Sequence, residues 1–187
     1  MKYCSICAAP LEVRIPDDDD RPRHCCTGCG AVHYLNPKVI VGCIPIWEEK
    51  ILMCKRGIEP RLGYWTLPGG FMELNETTDQ GAARETWEET RAKVDIQHLH
   101  GVYNIPHINQ VYFFYLAKMR TPDFEITPES TEIKLVTKDE IPWEHLAFGV
   151  VEKALRQYLD GKNETVSTPY FHTHMESSKP SPNTPSK

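Results

Sequence analysis

At 187 residues, with 26 acidic and 21 basic side chains and a formal net charge of −5, the chain can build one sizeable core and a small appendage. That balance offers neither a basic footprint for nucleic acid nor a cationic face for a membrane, so neither partner is expected. No run of about 18 apolar residues occurs, and the opening MKYCSICAAP lacks a secretory pattern, so a soluble cytoplasmic protein is expected.

Residues 1–36 are rich in Cys, Pro and charge, with Asp17–Asp20 as an acidic run and little hydrophobic periodicity. Cys4 and Cys7 form one Cys-x2-Cys pair and Cys26 and Cys29 a second, eighteen residues on. That spacing predicts a structural zinc site, in which four thiolates surround a tetrahedral ion and leave no position for water. His24 and Cys25 compete with Cys26, although neither keeps the two-residue gap. The acidic run argues against binding a phosphate backbone. Cys43 and Cys54 lie in apolar runs and read as small core residues.

KVIVGCIPIW and KILMCKR, joined by Glu48 and Glu49, read as a hairpin or neighbouring strands. Residues 57–76 are loop-like. Thr77 or Thr78 can cap a helix running to about residue 91. VDIQHL, GVYNI, QVYFFYLAKM and TEIKLV continue the strand pattern, and Thr137 with Glu140 forms a capping box. A second, amphipathic helix is expected from Ala147 to Asp160, ended by Gly161. From residue 162 the chain turns to Ser, Thr, Pro, Lys and His, a composition read as a flexible or loosely docked polar tail. His172 and His174 lack clustered partners and are not taken as metal ligands. The pattern is an α+β core with a cysteine-rich head over 1–36, a main domain over 37–161 and a tail over 162–187.

Glu85, Glu88 and Glu89 fall at i, i+3 and i+4, one face of the first helix. Repulsion of a few tenths of a kcal/mol per pair is tolerable, so spacing alone fits a solvated face as well as a metal site. Pro68, Gly69 and Gly70 precede the helix in a tight loop, and Arg84 can orient a neighbouring carboxylate.

The stretch resembles the Nudix box, G-x5-E-x7-R-E-U-x-E-E-x-G-U, with Gly70, Glu76, Arg84, Glu85, Glu88 and Glu89 all in register. Thr86 and Ala92 replace aliphatic residues, and Arg91 replaces the glycine that ends the helix. The resemblance implies a Nudix fold, a mixed sheet between helices in an α/β/α sandwich, behind a zinc ribbon. It also implies hydrolysis of a nucleoside diphosphate linked to another moiety, using Mg²⁺ or Mn²⁺ held by Glu85, Glu88, Glu89 and the Gly70 carbonyl. Arg84 would then position Glu85, and Glu76 would be supporting.

A ribbon ahead of this domain, with NPKVIVGCIP, WTLPGGFME, PHINQVY and EIPWEHLAF, looks like the group that includes FAD pyrophosphatases. The marker of NADH pyrophosphatases is missing, and Ile108 stands where many ADP-ribose hydrolases have proline. FAD cleaved to FMN and AMP is the leading expectation. ADP-ribose, NAD(H) and a non-catalytic nucleotide-binding regulator are the alternatives. Glu129 and Glu132 are candidates for a further metal ligand or general base. Tyr103, His107, Gln110 and Tyr112 are candidates for the substrate pocket. By the same analogy a homodimer is expected.

Overall fold

The computed structural model describes residues 1–160 and the backbone of Tyr170–Thr173. It divides into two compact units, Met1–Pro37 and the chain from Lys38 onward. In the first, β1 (Leu11–Arg14), β2 (Arg23–Cys26) and β3 (Val32–His33) form an antiparallel sheet in that order. Its buried apolar side chains are Cys4, Cys25 and Cys26, too few to hold a fold by burial alone.

In the second unit, β4 (Lys38–Trp47) and β5 (Lys50–Arg56) form the expected hairpin, but they pair only where it closes, Ile46 with Ile51 and Trp47 with Lys50. Beyond that point they part. β6 (Trp65–Thr66) pairs with β5 and β7 (Gly69–Phe71) pairs with β4. The loop expected over 57–76 therefore contains two strands too short to show a period of two.

α1 (Thr78–Thr90) starts from Thr77, whose N–H donates to Gln80 Oε1 at 3.0 Å. β8 (Val94–Ile105) runs unbroken where two strands were expected. Register shifts at Ile96/His98 and Leu99/Gly101 absorb its irregular pattern. β9 (Gln110–Met119), β10 (Ser130–Val136) and α2 (Gly149–Leu159) follow. Thr137 and Glu140 cap a single 3₁₀ turn, Lys138–Glu140. β11 (Tyr170–Thr173) adds a parallel strand beside β8. The rest of the predicted tail, His174 included, lies outside the described residues.

The sheet order is β10-β5-β4-β9-β8-β11, with β4–β9 and β8–β11 parallel and the other neighbours antiparallel. Val41 and Cys43 of β4 pack with Ala82 of α1 and Ala117. Ile44 of the same strand packs with Met53, Tyr103, Phe114 and with Val150, Val151, Ala154 and Leu155 of α2. Adjacent strand residues face opposite ways, so the helices cover opposite faces. The mixed-sheet α/β/α layering is therefore as expected.

Arg91 resolves the odd helix end. It adopts φ 58° and ψ 4°, the conformation a glycine would take, and its N–H donates to Trp87 O at 2.7 Å. Its guanidinium lies 4.2 Å from the centre of the Trp87 ring, a cation–π contact that offsets part of the ~1–2 kcal/mol left-handed cost. Thr86, fully buried, donates its hydroxyl to Ala82 O at 2.8 Å, so the polar replacement is satisfied. Ala92 packs with Leu52, Met119 and Ile133. Arg91→Ala keeps the strain and loses the ring contact, so urea unfolding should show it about 1 kcal/mol less stable than Arg91→Gly. Equal stability of the two would contradict this.

His100 on β8 is 2 % exposed, with Nε2 3.1 Å from Ala154 O of α2. Burial pushes its pKa down to about 4. Between pH 4 and about 6.5 the unfolded chain binds a proton that the folded one refuses, so stability falls as pH drops through that window, by roughly 3 kcal/mol. The difference in unfolding free energy between wild type and His100→Gln should change by that amount from pH 6.5 to 4. A constant difference would contradict it.

Candidate active site

Where β4 and β5 part, the start of β7 lies beside the last turns of α1. Glu89 Oε2 accepts the Gly69 N–H at 3.1 Å. The Glu85 carboxylate fits so closely against Gly70 that a Cβ there would lie 2.5–2.7 Å from its atoms. A side chain at Gly70 would therefore displace the Glu85 carboxylate from this position. Arg84 gathers the remaining acids. It is bidentate to Glu76 at 2.8 and 2.9 Å, reaches Glu85 Oε1 at 2.9 Å and Glu88 Oε2 at 3.0 Å, and donates to Phe71 O at 3.1 Å. Glu76 also accepts the Glu73 N–H at 2.7 Å. Arg84 holds the Glu76 carboxyl down at about 2.

Glu85 and Glu89 shift in the direction opposite to Glu76. Burial raises the Glu85 pKa and lifts Glu89 to about 7, and each feels the negative charge of Glu129. Glu89 is 8 % exposed. The Glu129 loop is pinned to the helix end, where Thr127 Oγ1 donates to Glu89 O at 3.0 Å and Glu125 N–H to Thr90 O at 2.8 Å, and to the end of β5, where Gly57 N–H donates to Glu129 O at 2.8 Å. Desolvated carboxylates with mutual repulsion form a donor set suited to a hard divalent cation, which takes oxygen ligands and retains waters. Among the described residues no three carboxylates approach as closely as the four thiols of the first unit do.

Glu85, Glu88, Glu89, Gly70, Arg84 and Glu129 line one cavity of about 900 Å³. His107, Gln110 and Tyr112 line it too, with the Tyr112 hydroxyl donating to Gln110 Oε1 at 3.0 Å. Two expected site residues fall elsewhere. Tyr103 is fully buried in the core, donating its hydroxyl to Gln157 Oε1 at 2.6 Å, and does not line the cavity. Glu132, opposite Lys55 in the β10–β5 ladder, is paired with Lys55 and Lys134 outside the cavity. Tyr64, Trp143 and Phe148 also line the cavity and came without a sequence signal beyond the EIPWEHLAF resemblance. So did Arg56, which lies 5.2 Å from the Phe148 ring centre.

In the first unit the sulfurs of Cys4, Cys7, Cys26 and Cys29 all lie within 4.8 Å of one another. Cys7 and Cys26 are 3.4 Å apart and Cys4 and Cys29 3.8 Å. Bonds of about 2.3 Å to a tetrahedral zinc require sulfurs about 3.8 Å apart, so the thiols fit that ion. Backbone N–H groups of Ile6, Gly28 and Cys29 point at Cys4 and Cys26 sulfurs at 3.3–3.4 Å, favouring thiolates. Cys25 is excluded, its thiol directed at Arg14 O and Arg23 O. His33 Nε2, 3.2 Å from Cys4 Sγ, is a neighbour that the spacing argument missed.

Comparison with known proteins agrees with this geometry. A family model described as the NUDIX domain matches residues 36–158, and a Nudix N-terminal zinc-ribbon model matches 2–35. The chain belongs to the Nudix family. A NUDIX hydrolase from Nitrosomonas europaea superposes with a TM-score of 0.89 at 48% identity, covering 94% of this chain and 100% of that one. An ADP-ribose pyrophosphatase of Methanocaldococcus jannaschii is 32% identical over 136 residues, 70% of this Nudix chain and 78% of that protein. The NAD-capped RNA hydrolase NudC of Chromobacterium violaceum is 26% identical over 164 residues, 85% of this chain and 58% of its own length. A MutT-like protein of Streptomyces ambofaciens matches at 39% over 79 residues, so this Nudix chain spans about half (51%) of that relative. No described helix is long and apolar enough to cross a membrane.

Proposed function

We propose that this Nudix protein hydrolyses the diphosphate of a nucleoside diphosphate linked to a second moiety, with FAD, yielding FMN and AMP, as leading substrate. One observation carries the reading: a single cavity joins the desolvated acids Glu85 and Glu89 and the exposed Glu129 to the aromatic rings of Tyr64, Tyr112, Trp143 and Phe148. The acids suit a cation-bound diphosphate and the rings suit planar bases. A volume of about 900 Å³ is at the upper end for a small-molecule site.

Glu85 and Glu89 would hold Mg²⁺ or Mn²⁺, with Glu88 at the rim and the Gly70 carbonyl as a further oxygen. When bound, such an ion neutralises diphosphate charge and makes water a better nucleophile. Arg84 fixes the Glu85 carboxylate. Glu129 is the general base we favour, because Glu132 is committed to two lysines. The water oxygen joins one phosphorus, the P–O–P bridge breaks, and the departing phosphate carries the electron pair away. Zinc in the ribbon, over 1–36, is assigned a structural role and hydrolysis is assigned to the domain over 37–161, and we extend the dimer analogy to this chain. The resemblance of Arg84, Glu85, Glu88 and Glu89 to a complete box argues against a purely regulatory binder.

ADP-ribose is the second reading, favoured by the name of the Methanocaldococcus relative. Incubation with Mg²⁺ and FAD, NADH, ADP-ribose or CoA, followed by chromatography, separates the two. FMN and AMP should appear fastest from FAD. ADP-ribose turning over about tenfold faster (1.4 kcal/mol) would overturn the substrate, and no turnover at all would overturn the activity.

A further inference from the structure

We infer that Cys54 is a positioning residue: its thiol donates to Glu89 Oε2 and, with the Gly69 N–H, occupies that oxygen so that Oε1 is left for a cation. The cation clause rests on the metal site proposed above. Cys54 Sγ lies 3.7 Å from Glu89 Oε2 and 3.7 Å from Thr66 O. Both of these oxygens are acceptors, so the thiol proton is donated to one of them, while the buried Ser130 side chain also hydrogen-bonds the sulfur. Cys54 is 1 % exposed, and its strand is flanked on both sides, with Thr66 of β6 and Ile133 of β10 as its register partners. The thiol therefore has little freedom to turn elsewhere.

Packing alone does not call for sulfur here. Cys54 clusters with Leu52, Ala92, Met119 and Ile133, where alanine or valine would also be at home. What the apolar residues lack is a donor, and the 8 % exposed Glu89 carboxylate needs donors to offset its burial. With Gly69 N–H at 3.1 Å on the same oxygen, the side chain is held from two directions. Partners behind a metal ligand tune its orientation and affinity.

The test combines infrared spectroscopy with Mn²⁺ binding. The S–H stretch of Cys54 is isolated as the band missing from Cys54→Ala. In Glu89→Gln it should move to higher wavenumber, because an amide oxygen accepts more weakly than a carboxylate. An unmoved band would mean that the thiol serves Thr66 O, and would overturn the inference. Mn²⁺ affinity, read from the free-ion electron paramagnetic resonance signal, should weaken about tenfold in Cys54→Ala. It should weaken equally in Cys54→Val, which fills more of the space without a donor. Wild-type affinity in either variant would overturn the positioning role. Failure of the wild-type protein to take up Mn²⁺ would instead overturn the metal site, and the cation clause with it, while the infrared shift would still report the thiol–carboxylate bond.

Discussion

Glu85→Gln is expected to lower turnover by about 10³-fold or more, ~4 kcal/mol of transition-state stabilisation, while the protein stays folded. The substitution is nearly isosteric, which matters because the carboxylate lies close against Gly70. An amide oxygen can still accept from Arg84 Nη1, now 2.9 Å from Glu85 Oε1. Burial raises the Glu85 pKa, so the folded state already disfavours its charge and a neutral amide does not weaken the fold. What the amide removes is negative charge facing the cavity, the property a divalent cation requires. Turnover within tenfold of wild type, with an unchanged unfolding midpoint, would contradict the role assigned to Glu85.

Cys26→Ser should strip zinc from the first unit and with it the folded state of residues 1–37. That unit buries only three apolar side chains, all cysteines, so nothing else offsets the entropy of ordering it. Structural zinc contributes on the order of 10 kcal/mol or more to such segments. The measurements are zinc content by atomic absorption and proteolysis within 1–37. Cys25→Ser should keep full zinc, because its thiol is directed at the backbone oxygens of Arg14 and Arg23. Full zinc in Cys26→Ser would contradict the ligand assignment.

The chemistry was legible in the sequence where it rests on short-range spacing. Two Cys-x2-Cys pairs and Gly70, Glu76, Arg84, Glu85, Glu88 and Glu89 in register are local patterns, and each local pattern has a local geometry. The α+β order of elements was legible through strand and helix periodicity, whereas the α/β/α layering came from the resemblance to the Nudix family. What escaped depended on distant elements. Tyr103 and Tyr112 are direct partners across β8 and β9 and so share a face. Tyr103 bonds Gln157 of α2, whereas Tyr112 reaches the cavity, and no pattern in either strand encodes where α2 lies.

Glu129 and Glu132 separate for a similar reason. Glu132 meets Lys55 across the ladder, while Glu129 belongs to a loop tied to α1 through Thr127 and Glu125. The parting of β4 from β5, which makes room for the site, depends on strands of two and three residues. Arg91 shows the reverse situation. A residue that departs from the box keeps the backbone conformation of the one it replaces, helped by its contact with Trp87.

The most direct test is a Mn²⁺ titration of zinc-loaded protein, followed by electron paramagnetic resonance and run on wild type and on the Glu85→Gln/Glu89→Gln double variant. Wild type should take up Mn²⁺ and the folded double variant should not. Equal uptake by both would contradict the assignment of the catalytic cation to these two carboxylates.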